Sequence, residues 1–235
     1  INQMKLAFIS DIHGNFDALK AVMLDIKKNK VQKIYCLGDI VNYYYEPHKC
    51  IDLLIKKNVK CIKGNHENIF FKTLKSKKNA ETYKKLYGNS IFKNFKTLKK
   101  KHVNFLKSLK TRLKFSFNNK KFFLTHASPW SINFYFYPNV KERWFNKLGD
   151  YKFDYFIFGH THIPMKKNIK SKKILINPGS VGQSRINSNK AHWLLYDTNS
   201  KKFTHKKTNY SLKKIKKQIS LYDSNNKRLL KYFES

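Results

Sequence analysis

The chain holds 235 residues, 41% of them apolar, and carries a formal charge of +36. That is enough apolar material for one globular domain with a buried core, and it excludes a disordered chain. No apolar run nears the roughly 18 residues of a membrane span and no secretory pattern opens the chain, so no membrane span is expected and the expected location is cytoplasmic.

Taken in order, apolar runs and turn signals alternate in a strand–helix rhythm. MKLAFIS reads as a buried strand, FDALKAVMLDIKK as a helix, KIYCLGD as a second strand, HKCIDLLIKK as a helix and VKCIKGN as a third strand. Residues 67–110 are Lys-rich and strand-poor and read as helices, with the clearest amphipathic period in FKTLKKKHVNFLKSLK. From Arg112 onward strands dominate: TRLKFSF, KKFFLTH, YFIFGH, KILINPG, HWLLYD and KKFTHKK. Asn118-Asn119 and Asn199-Ser200 mark hairpin turns. The last stretch, about residues 211–235, reads as one or two basic helices packed on the body of the fold. The expectation is an α/β core forming a single domain over 1–235, with a helical insertion at about 67–110.

Cys36, Cys50 and Cys61 are odd in number and lack a CxxC pair, which argues against a disulfide framework or a structural zinc site. Cys36 and Cys61 lie in apolar runs and read as small buried hydrophobes. The basic charge is almost all lysine, spread from Lys5 to Lys231, with arginine only at 112, 143, 185 and 228. Together with abundant Asn, Ile, Phe and Tyr, this is the profile of an A+T-rich coding sequence on a solvated surface. Such a field still attracts phosphorylated substrates.

Five short segments each end a strand-like run and carry ligand-type side chains. They are Asp11-Ile12-His13-Gly14-Asn15, Gly38-Asp39, Gly64-Asn65-His66-Glu67, Thr125-His126 and Gly159-His160-Thr161-His162. Five of the nine histidines fall in them, whereas His48, His102, His192 and His205 have no such neighbours and read as surface or packing residues. Imidazole with carboxylate and one amide oxygen suits manganese, iron, zinc or nickel, and is a poor match for calcium. Seven such donors, Asp11, His13, Asp39, Asn65, His126, His160 and His162, are too many for one tetrahedral ion. They suit two ions sharing a carboxylate, the clamp used for in-line displacement at phosphorus. A neutral Asn65 in place of an acid leaves residual positive charge for a phosphate anion.

In these motifs, and in Asn177-Pro178-Gly179-Ser180-Val181-Gly182-Gln183, the chain resembles the calcineurin-like metallophosphoesterase superfamily over about residues 4–210. The likeness is to its small single-domain bacterial and archaeal phosphodiesterase-like branch. The resemblance implies a four-layer α-β-β-α sandwich of two mixed sheets flanked by helices. It implies two divalent transition-metal ions, with manganese the ion expected in vitro: one on Asp11, His13 and His162, one on Asn65, His126 and His160, and Asp39 bridging. It also implies hydrolysis of a small phosphodiester or phosphomonoester by metal-activated water or hydroxide, with His66 assisting the leaving group. Where the branch has a Gly-Tyr-Gly-Pro-like turn, this chain has Asn42-Tyr43-Tyr44-Tyr45-Glu46-Pro47, which adds aromatic bulk at the entrance. Tyr43, Tyr44 and Arg185 are the expected substrate contacts. Glu67 takes the position that is Asp in most of the superfamily.

Two other readings are open at this level. One is a nuclease on single-stranded nucleic acid, with Tyr43, Tyr44, Tyr45, Trp130, Phe134 and Tyr135 as base-stacking surfaces. The other is a non-catalytic interaction module, since the retromer's small subunit has this fold with a degraded site. No oligomeric state follows from the sequence.

Overall fold

A computed structural model describes residues 4–186 and 189–226 together with Leu229 and Phe233. The rest of the expected C-terminal helical stretch lies outside the described residues.

In Lys5–Ile9 (β1) Leu6 and Phe8 face one way and Ala7 and Ile9 the other, and all four are buried. A strand buried on both faces is a central, largely parallel strand. It pairs in parallel with Lys33–Cys36 (β2), which pairs in parallel with Lys60–Cys61 (β3). The crossovers are Phe16–Lys28 (α1) and Pro47–Lys56 (α2). On its other side β1 meets Lys190–Asp197 (β9) antiparallel, and Lys202–Asn209 (β10) closes the sheet in the order β10-β9-β1-β2-β3.

The second sheet runs Arg112–Phe117 (β4), Lys120–Thr125 (β5), Tyr155–Ile157 (β6), Met165–Ile169 (β7) and Lys173–Asn177 (β8) in the order β4-β5-β6-β8-β7. Its centre, β5-β6-β8, is parallel and both edges are antiparallel. Asn118 and Asn119, with φ of 46° and 58°, turn β4 into β5. Asparagine is one of the few residues that takes this left-handed backbone readily.

Leu6, Phe8, Tyr35, Phe122, Ile157 and Tyr196 fill the space between the sheets. Helix Glu142–Gly149 (α7) covers the outer face of the second sheet through Phe145 and Leu148. The outer face of the first takes α1, α2 and Lys100–Ser108 (α6). The result is four layers, α-β-β-α, with two mixed five-stranded sheets. Asn65–Lys75 (α3), Lys77–Tyr87 (α4), Ser90–Thr97 (α5) and α6 occupy the Lys-rich stretch, and Lys213–Tyr222 (α8) packs on Tyr43, Tyr44 and Tyr45 through Ile215 and Ile219.

Three features differ from the expectation. FKTLKKKHVNFLKSLK is two helices and not one amphipathic run. It breaks at Leu98, whose ψ of 113° is extended, and the imidazole of His102 accepts the Lys99 N–H at 3.0 Å to start α6. Strand β7 was not expected: between Met165 and Ile169 it shows only Lys and Asn, the charged dress of an edge strand. Helix α7, eight residues long, was not expected either. Cys36 and Cys61 are free thiols facing each other in the β2–β3 register, and Cys36 and Cys50 are buried. Among the described residues no helix is long and apolar enough to cross a membrane.

Candidate metal centre

The loops leaving β1, β2, β3, β5 and β6 meet at one rim of the sandwich, where open α/β sheets place their sites. Their backbones are laced together. Asp11 N donates to Gly38 O at 3.1 Å, His13 N to Asp39 O at 2.9 Å, and Gly182 N to Asp11 O at 2.9 Å. Gly159 N donates to His126 O at 2.8 Å. Asp11, His13, Asp39, His160 and His162 all have φ between 52° and 68°. Five non-glycine residues in the left-handed region at one rim is a concentration of strained backbone of the kind that gathers at functional sites.

Glu67, in the first turn of α3, is fully buried and holds the Asp39 loop. Its carboxylate accepts from Asp39 N at 2.9 Å, Ile40 N at 2.7 Å and Gly64 N at 2.7 Å. Burial, with Asp39 beside it, pushes its carboxyl up to about 7 against those three donors. Asp39 in turn accepts from His66 N at 2.8 Å. Gly64 leaves no room for a side chain, because a Cβ there would collide with Asp39.

The structure brings all seven predicted donors together, and each is at least nine-tenths buried. Asp11, His13 and His162 form one group that could hold a cation, and Asp39, His126 and His160 another. The side-chain oxygen of Asn65, Oδ1, lies 2.9 Å from His126 Nε2. Asp39 Oδ2 stands between the groups, 3.2 Å from His126 Nε2 and 3.9 Å from His13 Nε2. A third group links His13, Asp39 and His66.

The hydrogen bonding of the rings fits metal ligation. Nδ1 of His13 faces Val41 O at 3.2 Å, Nδ1 of His126 faces Leu37 O at 2.8 Å, and Nδ1 of His162 faces Gln183 O at 2.8 Å. A carbonyl oxygen only accepts, so each Nδ1 carries its proton and each neutral ring turns a bare Nε2 inward. Nε2 of His13 and Nε2 of His162 then face each other at 3.1 Å, two lone pairs that need a cation or a proton between them. Asp11 Oδ1 and His160 Nε2 are buried with no hydrogen-bond partner among the described residues. Burial disfavours a proton on His126, but the neighbouring Asp39 carboxylate overcomes this and raises it to about 9. Burial drives His66 down to about 4 and His160 to about 3.

A cleft of about 470 Å³ opens beside Asn65 and His160, walled by Tyr83 and Tyr87 on one side and Tyr135 on the other, with Lys72 at its edge. Tyr135 is 42% exposed and its ring lies 4.0 Å from that of His160. Arg185 donates to Tyr137 Oη at 3.0 Å, next to that wall. Tyr43 packs edge-on against His13 at 4.7 Å. Tyr44 sits deeper, 1% exposed, against Phe233, with its hydroxyl accepting from Gln183. The burial of Tyr44 leaves the aromatic wall of the cleft to Tyr83, Tyr87 and Tyr135.

His66 touches three elements. Asn42 Nδ2 lies 3.2 Å from both its carbonyl oxygen and its Nδ1, while Asn42 Oδ1 accepts from Asn94 Nδ2 of α5 at 2.7 Å. The sequence gives no sign of Asn94, a lone amide in a lysine-rich helix. The backbone carbonyls that orient the histidines have no signature at all.

Residues 4–201 match the family model described as the calcineurin-like phosphoesterase superfamily domain. An uncharacterized protein of Methanocaldococcus jannaschii is 34% identical over 91% of each chain. Among solved structures, a metallophosphoesterase from Sphaerobacter thermophilus is similar, with TM-score 0.78, 22% identity and coverage of 99% of this chain and 98% of that one. A hypothetical protein from Pyrococcus horikoshii OT3 aligns with TM-score 0.82 and 20% identity over 98% and 97%.

Proposed function

The chain belongs to the calcineurin-like phosphoesterase superfamily, and within it we propose a binuclear-metal-dependent phosphoesterase acting on a small phosphodiester or phosphomonoester. The observation that carries this reading is the shared position of Asp39, whose Oδ2 faces the nitrogens of both donor groups. Asp11, His13 and His162 would hold one divalent ion and Asn65, His126 and His160 the other, with Asp39 common to both. Two such ions, with manganese expected in vitro and iron, zinc or nickel also suited to these donors, would polarise a phosphoryl oxygen and supply a nucleophile at neutral pH.

The chain's own residues do the rest. The buried donors would keep bulk water from such cations, and His66, grouped with His13 and Asp39, would assist the leaving oxygen. Tyr135 and Arg185, with Tyr43 behind, shape the approach of the substrate. The range of the family match includes α3 to α6, which supports treating that helical stretch as part of one domain.

The test is metal analysis followed by assay on an aryl phosphodiester and an aryl phosphomonoester. We expect metal-dependent turnover of at least one, lost with Asp39→Asn together with the bound metal, and reduced about 10²–10⁴-fold in kcat by His66→Ala. Protein shown to contain metal that turns over neither substrate would refute the proposal. The exposed ring of Tyr135 supports a second reading, cleavage of single-stranded nucleic acid, taken up below at the scale of the whole surface.

A further inference from the structure

His66 belongs by distance to a group with His13 and Asp39 that could hold a cation. Its hydrogen bonding sets it apart from His13, His126 and His162. The atom opposite its Nδ1 is the amide nitrogen of Asn42, not a carbonyl oxygen. Which way that amide points follows from chemistry. The His66 carbonyl oxygen has only lone pairs, so the group 3.2 Å from it must be the NH2 of Asn42. The opposite orientation would set two oxygens against each other. The other end of the amide, Oδ1, is pinned by the Asn94 donor at 2.7 Å. An NH2 that gives one hydrogen to the carbonyl has a second to give to Nδ1. Nδ1 is therefore an acceptor, and the ring proton resides on Nε2.

We infer that Asn42 is a positioning residue that locks His66 in the Nε2–H tautomer, so that His66 serves the phosphoester as a neutral hydrogen-bond donor and does not ligate a metal. The inference rests on the phosphoesterase reading for its consequence in catalysis, but not for the tautomer itself. The same residue type thus takes two roles at one rim, sorted by what meets Nδ1. Carbonyl oxygens leave His13, His126 and His162 with bare Nε2 atoms, whereas an amide N–H leaves His66 with a donor.

The ring cannot turn to escape this. It is wedged among His13 at 4.8 Å, Tyr43 at 5.1 Å and Tyr87 at 4.7 Å. Position 42 also asks for this residue on backbone grounds. Its φ is 67°, which asparagine tolerates, and where the branch has glycine only asparagine adds an amide without leaving that conformation.

The experiment is nitrogen NMR of the imidazoles in ¹⁵N-histidine-labelled protein loaded with zinc, a diamagnetic ion. In the wild type we expect the His66 Nδ1 to show the shift of a bare nitrogen and Nε2 that of a protonated one. Asn42→Asp, which keeps the backbone preference but offers only acceptors, should move the proton to Nδ1. Asn42→Gly should lose the single tautomer and lower kcat about 10–100-fold, with KM and metal content unchanged. A protonated Nδ1 in the wild type, or full kcat in Asn42→Gly, would overturn the inference. The expected tautomer in a metal-loaded protein without turnover would keep the positioning by Asn42 and remove the phosphoesterase reading instead.

Discussion

Leu37, Val41 and Gln183 give only carbonyl oxygens to the rim, yet each one turns a histidine so that its lone pair faces inward. At His126 that lone pair is taken up in the metal-free protein, because Asp39 outweighs burial and holds a proton in the space a cation would take, raising the ring to about 9. The metal-free protein at pH 7 is below that value, so His126 carries the proton and must release it when a cation binds. We expect about one proton released per protein at pH 7, read by calorimetry in two buffers of different ionisation enthalpy. Apparent affinity should rise about tenfold per pH unit and level off near 9. Uptake without proton release would contradict the field assigned to Asp39. The residues that gather at the rim were legible in the sequence because most sit beside a glycine or close to a second ligand-type residue at a strand end, as in Asp11-Ile12-His13 and His160-Thr161-His162, while His126 is marked only by the end of its strand-like run. Tautomers were not, because main-chain carbonyls and Asn94 decide them, and neither has a sequence pattern.

The loop that carries Asn42 and Tyr43 is clamped by helices from two directions. Beyond α8, Asp223 accepts from Tyr45 Oη at 2.6 Å and from Asn89 N at 2.8 Å, tying the α4–α5 turn to the same loop. Glu46 receives Lys49 of α2 at 2.6 Å and Lys214 of α8 at 2.5 Å. Burial alone would raise its carboxyl, but the two lysines together lower it below the ordinary 4.5. A carboxyl lowered on folding stabilises the fold fully above its unfolded value and loses that contribution as pH falls through the folded one. Hydrogen exchange in α8 should therefore quicken below about pH 4.5, relative to β1, and Lys214→Met should weaken that acid response. Equal exchange in α8 at pH 4 and pH 7 would remove the clamp from the account. Helix existence in 67–110 was readable from its Lys-rich, strand-poor composition, whereas the break at Leu98 was not. That break answers to packing, since Phe95 of α5 and Val103 of α6, on either side of Leu98, both reach the core under the first sheet.

Over the whole molecule the cations form a coat. Every helix carries lysine, and so does every strand except β6, while Lys72 is the one lysine lining the cleft among the described residues. Single-stranded RNA should accordingly bind weakly and without preference for the metal rim, with affinity falling steeply between 50 and 200 mM salt, about as phosphate neutralisation predicts. Tight binding that Tyr135→Ala abolishes would restore the nuclease reading. The α/β class and the strand segments other than β7 could be read in the order in which they occur. The placing of β9 and β10 against β1 could not, since chain order says nothing of which edge a late hairpin joins. One consequence follows from the left-handed backbones of Asp11, His13, Asp39, His160 and His162. Each costs about 1 kcal/mol or more to hold, and folding has already removed the rotational freedom of these donors before any ion arrives. Cation binding then orders almost nothing new, so its affinity is inherited from the rigidity of the two sheets. Truncating Phe122 or Tyr196, deep between those sheets, would be felt first as faster escape of metal from the rim.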